Sequence, residues 1–310
     1  MSRRKPKGRD ISGWLCLDKA VGQTSTACVA SVKRLFDAQK VGHAGTLDPL
    51  ASGALPIALG EATKTVPFVQ DGAKQYRFTI RWGVDTDSDD ADGTVTATSD
   101  VRPTCAAIEA ALPAFTGEIM QRPPSFSAIK IGGERAYDLA RGGEMVELAE
   151  RPVSIHRLAL VDMPDPDHTV LEAECGKGTY VRSLARDLAH RLGTRGHVSA
   201  LRRLSVGPFD ATNMIPLAAL ITAREEGPVT GLDRFLMPIG MALTALPEIV
   251  IPRNELPRVM RGQPVLLRGA GIPAAADPVH ATYGGRSVAI GAIERGEFHP
   301  KRVFKGQQAT

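Results

Sequence analysis

The 310-residue sequence predicts an α+β fold, on three observations. Strand-like and helix-like runs are intermixed without the regular βαβ period of a doubly wound sheet. The clearest helix, "TYVRSLARDLAHRLG", carries Val181, Leu184, Leu188 and Leu192 at three- and four-residue steps, whereas "YRFTIRWGV" alternates with period two. From about Glu248 the chain turns to short β-like runs rich in Pro, Gly and Arg. That shift sets a boundary near residue 247. The expected organisation is a basic arm over 1–9, a large domain over 10–247 and a small β domain over 248–310.

The first helix is expected over "GQTSTACVASVKRLFDAQK", with Thr24 or Ser25 as N-cap and Val29, Val32 and Phe36 at helical spacing. It leads into "GHAGTLDPLASG" (42–53), where His43, Thr46 and Asp48 lie among glycines and Pro49 biases Asp48 toward extended backbone. "YRFTIRWGV" and "TVTAT" then read as a hairpin across the acid-rich "DTDSDDADG". "AAIEAALPAF" and "GERAYDLARGG" read as short helices, the second ended by Gly142 and Gly143. "VSIHRLALVDM" and "VLEAEC" read as paired strands around the turn-forming "PDPDH". After the helix that Gly193 closes, "SALRRLSVGPF" reads as a strand, and residues 217 to 247 as irregular helix. "PVLLRG" and "SVAIGAIE" are the strand runs of the terminal part.

The chain is 43% hydrophobic and 23% charged, the balance of a globular protein with a sizeable core. No apolar run approaches the ~20 residues of a membrane helix, and no apolar stretch follows the basic start, so a cytoplasmic protein is expected. Cys16, Cys28, Cys105 and Cys175 lie far apart, without metal or redox spacing, and read as idle thiols. The net charge of +4 is uneven: residues 1–9 carry +5, and residues 248–310 carry nine Lys or Arg against five Asp or Glu. Basic ends on a slightly acidic body suit a polyanion contacted at its periphery, or merely a solvated tail.

Metal chemistry finds little support. Counted from Asp85, the acidic run places Asp90 and Thr96 where a calcium loop needs Gly and Glu. A solvated hairpin loop is expected instead. The seven histidines show no ligand spacing, and "LDKAVGQTS" lacks the Gly-Lys-Ser/Thr end of a phosphate loop, so no metal or nucleotide cofactor is implied. Taken singly, Asp48 is a turn starter, Tyr76 a half-buried aromatic, and Arg182, Arg186 and Arg191 a charged solvated helix face.

Six blocks in order resemble the bacterial TruB family of tRNA pseudouridine-55 synthases. They are "RDISGWLCLDK", "GHAGTLDPLASGALPIALGEATK", "YRFTIRWGVDTDSDDADG", "RPPSFSAIKIGGERAYDLAR", "GKGTYVRSLARDLAHRLG" and "HVSALRRLSVG". Ala20 departs from the family's usual proline after the motif lysine, which touches only the local loop. The resemblance implies a mixed-sheet catalytic domain with a small C-terminal PUA-like β domain. It implies cofactor-free isomerisation of the T-loop uridine of tRNA, and a role in tRNA folding is compatible with it.

By the same resemblance, Asp48 is the catalytic aspartate and Arg182 its partner, which keeps a carboxylate ionised against burial. Tyr76 stacks on the flipped base and is a candidate for the final proton removal. His43 matches the histidine near the vacated stack, Tyr180 and Leu201 match pocket residues, and Lys19 is structural or phosphate-facing. An RNA-binding or chaperone protein without the chemistry is the alternative class. Retention of Asp48, Tyr76 and Arg182 favours the enzyme, since a buried ion pair costs desolvation. A subunit working with guide RNA, as in archaeal and eukaryotic relatives, is a third reading. The chain reads as self-sufficient in the bacterial pattern, so a monomer without guide RNA or obligate protein partner is expected.

Overall fold

Two apolar cores share the central strands of one sheet, and the two-residue period of those strands sorts side chains between them. In β1 (Gly13–Lys19), Leu15 and Leu17 enter one core while Trp14 and Cys16 enter the other. A strand covered on both faces reads as a continuous apolar run, which is why "GWLCL" does not alternate. Beyond β2 (Val41–His43), β3 (Ala51–Leu59) repeats the division, with Leu55, Ile57 and Leu59 on the first face and Ala54 and Ala58 on the second. A computed structural model describes residues 7–126, 130–131, 134–135, 148–267 and 274–306.

The other strands of the body are β4 (Lys74–Trp82), β5 (Val84–Thr86), β6 (Val95–Thr98), β7 (Gly117–Gln121), the short pair β8 (Lys130–Ile131) and β9 (Glu134–Arg135), β10 (Arg151–Asp165), β11 (His168–Cys175), β12 (Gly196–Val206) and β13 (Met214–Pro216). The main sheet runs β13-β1-β3-β12-β4-β11-β10-β7, with β2 also on β3. The pairs β1–β13 and β3–β12 are parallel and the rest antiparallel, giving the mixed sheet of an α+β protein.

The first core is covered by the helices Ser25–Leu35, Val181–Arg191 and Leu217–Glu225, through Cys28 and Val32, Leu184 and Leu188, and Leu220. Truncating one such leucine to alanine is expected to cost about 2–5 kcal/mol. Thr24 caps the first helix, accepting the Ala27 amide at 3.1 Å.

The expected hairpin from β4 to β6 is corrected. Gly83, at φ 85°, turns the chain out of the sheet after Trp82, and a separate ladder forms between β5 and β6. β4 pairs with β11 and β12 instead. Of "GERAYDLARGG", Glu134 and Arg135 lie in β9, and the remainder of that expected helix lies outside the described residues.

The C-terminal strands β14 (Glu248–Val250), β15 (Val265–Leu266), β16 (Ala275–Tyr283), β17 (Arg286–Glu294) and β18 (Glu297–Val303) form a second sheet in the order β14-β16-β17-β18-β15. It has its own core around Val259, Val279 and Phe298. Ile290 and Phe304 nevertheless pack with Trp14, Phe209 and Leu243 of the body, and Lys64 donates to the Val303 carbonyl at 2.7 Å.

Candidate active site

The loop that carries Asp48 leaves β2 at Gly45, whose φ of 105° only glycine adopts freely, and enters β3 at Ala51. It is clamped from three directions. Ser25, in the first turn of its helix, accepts the Leu47 amide at 2.9 Å and donates to the Leu47 carbonyl at 3.0 Å. The Gly22 amide donates to the Pro49 carbonyl at 2.8 Å. Arg203 donates to the Gly45 and Thr46 carbonyls at 3.1 and 3.3 Å. Nearly every polar main-chain group beside Asp48 is thus engaged, and the carboxylate is aimed by its frame.

Arg182 lies in the first turn of the helix Val181–Arg191, and its side chain is 5% exposed against 37% for Asp48. Its Nη2 stands 3.0 Å from Asp48 Oδ2 and donates to the Phe126 carbonyl at 2.9 Å. Its Nη1 donates to the Ser88 carbonyl at 2.9 Å and faces Asp90 Oδ2 at 3.5 Å. A cation in a first helical turn is unfavourable toward the helix dipole, and two carboxylates with two carbonyls offset this.

The expectation that Arg182 and Arg186 form a solvated face, with the acidic run as a solvated loop, is overturned. Asp89 and Asp90 are buried; Arg186 Nη1 meets Asp89 at 2.7 Å, and Arg195 and His190 meet Asp85 at 3.1 and 2.9 Å. Asp87 and Asp92 do stay exposed. The loop is a docking plate for the arginine helix. Burial moves the Asp89 carboxyl up to about 6, against the pull of Arg186 and Arg182.

Asp48, Arg182, Tyr76, Tyr180 and Leu201 line one cavity of about 330 Å³, together with Lys74 and Arg203. Burial pushes the Tyr76 phenol above its usual range, with Arg203 opposing. Leu201, 8% exposed, gives the cavity an apolar wall. Tyr180 is fixed by Gln121, which donates to its carbonyl at 3.1 Å and accepts its amide at 2.8 Å, while Arg151 lies 5.3 Å from the ring centre.

His43 stands to one side of this cavity rather than among its lining residues, in β2 opposite Ile57. Burial and the Arg203 charge lower its imidazole below the ordinary range, keeping it neutral at pH 7. Lys19 is fully buried beneath the loop and donates to the carbonyls of Ala20, Gln23 and Pro49 at 3.0, 2.7 and 3.3 Å. Of the two roles open to it, burial fits the structural one. Among the described residues no group of acidic, histidine or cysteine side chains forms a metal cradle, and no helix is long and apolar enough to cross a membrane.

A carboxylate paired with an arginine in a ligand-sized cavity, walled by two tyrosines and a leucine, suits a flat aromatic guest presented to an acid. The family described as "TruB family pseudouridylate synthase (N terminal domain)" matches residues 33–181, and "tRNA pseudouridylate synthase B C-terminal domain" matches residues 182–244. The chain belongs to the TruB family.

Proteins named tRNA pseudouridine synthase B from Bradyrhizobium diazoefficiens and Chelativorans sp. are 58% and 55% identical to it. They align over 96% and 98% of this chain, and 86% and 99% of their own. Two solved structures share the fold. One is an H/ACA RNP bound to a substrate RNA containing 2'-deoxyuridine, with TM-score 0.74, 24% identity, and coverage of 96% of this chain and 86% of that one. The other is the archaeal box H/ACA sRNP Nop10-Cbf5 complex, with TM-score 0.71, 25% identity, and coverage of 96% and 87%.

Within this TruB chain, sequence reasoning read Asp90 only as part of a solvated loop and passed over Gln121 and Arg203. "LRRL" did hold a signal: adjacent residues of a strand face opposite sides, so one of two consecutive arginines in a central strand must point inward. Arg202 pairs with Asp18 at 2.9 and 3.0 Å, and Arg203 is the inward one, 2% exposed.

Proposed function

We propose that this TruB protein isomerises uridine to pseudouridine at position 55 in the T-loop of tRNA, with Asp48 as the catalytic carboxylate. The observation that carries the reading is the Asp48–Arg182 pair, held at 3.0 Å in a cavity bounded by Tyr76, Tyr180 and Leu201. The target base leaves its stack and enters the cavity, a step that costs a few kcal/mol and is offset by stacking on Tyr76. Asp48 acts on the nucleoside while Arg182, 3.0 Å away, holds its carboxylate in place. The N1–C1′ bond breaks, the uracil turns, the C5–C1′ bond forms, and N1 ends protonated as C5 loses its proton. No atom is gained or lost. Tyr76, which lines the cavity, is the candidate for that last transfer, and His43 stands by the vacated stack.

Residues 248–310 serve as a PUA-like RNA-binding unit and residues 1–9 as a basic arm, a division supported by the positive charge of both segments. The protein works on tRNA as a monomer in the cytoplasm, without guide RNA, a reading supported by curated relatives of more than 50% identity that carry the tRNA enzyme's name. The test uses the purified chain alone with tRNA transcribed from C5-tritiated uridine. Tritium release with conversion at position 55 is expected; conversion only after guide RNA or partner proteins are added would sink the stand-alone reading.

A further inference from the structure

Lys19 of β1, Gly53 of β3, Arg203 of β12 and Tyr76 of β4 stand opposite one another in a single row across the sheet. Opposed residues on neighbouring strands send side chains to the same face, so two cations flank a glycine and one of them abuts the tyrosine. The strands approach closely there: a Cβ on Gly53 would lie 2.2 Å from the Arg203 carbonyl oxygen.

Both cations are buried, at 0% and 2% exposure, and among the described residues neither has a carboxylate within ion-pair distance. Their partners are main-chain carbonyls. Arg203 donates through Nε to Ala54 at 2.7 Å, through Nη1 to Thr46 at 3.3 Å and through Nη2 to Gly45 at 3.1 Å, and Lys19 donates to Pro49 at 3.3 Å. Those carbonyls lie on both sides of Asp48. Burying two charges without counter-ions costs several kcal/mol, and a neutral amide would tie carbonyls at less cost. The positive charge itself therefore asks for a use, and the cavity supplies one. Arg203 lines it beside Tyr76.

We propose that Arg203 is a positioning residue for the isomerisation: it ties two carbonyls of the Asp48 loop, those of Gly45 and Thr46, to the Ala54 carbonyl of β3 and sets the Tyr76 hydroxyl in the field of a fixed cation. The inference rests on the reading of this cavity as the pseudouridine site. The other charged or titratable groups around Tyr76 are Asp48 and Cys175, which act against the phenolate, with Lys74 two residues away on β4 and Lys177, Tyr180 and Arg182 elsewhere along the cavity. Arg203 is the cation that opposes the burial of this phenol, and so it lowers the cost of negative charge on the Tyr76 oxygen, although the phenol as a whole stays above its usual range.

The test compares R203K and R203Q with wild type in thermal melting, tRNA affinity, single-turnover pseudouridine formation and phenol titration, the last read as the ultraviolet difference between each protein and its Tyr76→Phe counterpart. In R203K one ammonium replaces a three-bond fork, and a rate loss of about tenfold or more is expected at tRNA affinity within about threefold of wild type. In R203Q the Tyr76 titration moves to higher pH; R203K is not used for this arm, because a buried lysine loses its own proton in the same alkaline range. A wild-type rate in R203K, or an unmoved titration in folded R203Q, overturns the proposal. Should R203Q not fold, the R203K rate decides alone. Failure of wild type to convert tRNA uridine would instead remove the functional reading, and the titration would still report on the cation beside Tyr76.

Discussion

Arg182 Nη2 lies 3.0 Å from Asp48 Oδ2, and the same guanidinium turns Nη1 toward Asp90 and the Ser88 carbonyl. One arginine thereby joins the loop after β2, the acidic turn after β5 and the helix Val181–Arg191. The Asp48 carboxylate inherits its position from all three elements.

Asp48→Asn is expected to leave the fold and tRNA affinity nearly unchanged, because the loop is held through its main chain and Asn fills the same volume. Turnover should fall by about 10⁴-fold or more, as removal of a reacting group does elsewhere. Tritium release from C5-labelled tRNA measures it, and release at the wild-type rate excludes Asp48 from the chemistry.

Arg182→Lys keeps the charge but not the fork. A lysine reaches Asp48 or the Ser88 and Phe126 carbonyls, not all of them together, and leaves Asp90 buried without its partner. A loss of about 2 kcal/mol or more in stability and about a hundredfold in single-turnover rate is expected. Urea unfolding and rapid-quench assays measure the two. A variant with wild-type values in both would show that the guanidinium geometry is dispensable.

The helices with an apolar stripe and the alternating strands are legible in the sequence because one face of each is buried and the period reports it. β11 buries Thr169, Leu171, Ala173 and Cys175 in strict alternation. The pairing after Trp82 is not legible, because a single left-handed glycine, Gly83, turns the chain out of the sheet there, and composition does not report φ. The acidic run misleads for another reason. Its partners, Arg182, Arg186, His190 and Arg195, lie about a hundred residues away in sequence, and only the fold brings them together. Asp48, Tyr76 and Arg182 are recognisable through the company of six motif blocks, whereas Arg203, although it lies in the sixth block, shows its inward side chain only through the strand alternation of the doubled arginine.

Asp89→Asn tests the docking of the acidic turn through pH. The Asp89 carboxyl titrates at about 6 in the folded chain, against an ordinary value of 3.8, because burial outweighs the attraction of its arginines. A raised folded value means that the native state holds a proton the unfolded chain has released. The stabilising contribution is full below about pH 4 and is lost as pH rises through 6. Arg186 is itself held more firmly charged by Asp89 and Asp187, so the two ends of the pair pull in opposite directions, but only the carboxyl titrates in this range. Asn suits the φ of 59° at this position. The unfolding free energy of wild type relative to Asp89→Asn should therefore decline between pH 4 and pH 7 in urea titrations. A difference that stays flat with pH would exclude the buried-carboxyl account.

The C-terminal sheet calls for charge reversal rather than deletion. Cutting near residue 247 would remove Ile290 and Phe304 from the core they share with Trp14, Phe209 and Leu243, so an inactive fragment would report unfolding as much as a missing RNA interface. Arg253 and Arg261 are exposed and touch no part of that shared core. Arg253→Glu with Arg261→Glu should leave melting within a degree or two, about 0.5 kcal/mol for surface changes. tRNA affinity should fall, and the slope of log affinity against log salt should flatten by roughly one for each phosphate no longer neutralised. The single-turnover rate at saturating tRNA should be unchanged, since neither side chain reaches the cavity of Asp48. An affinity and salt slope equal to wild type would exclude these two arginines from RNA binding.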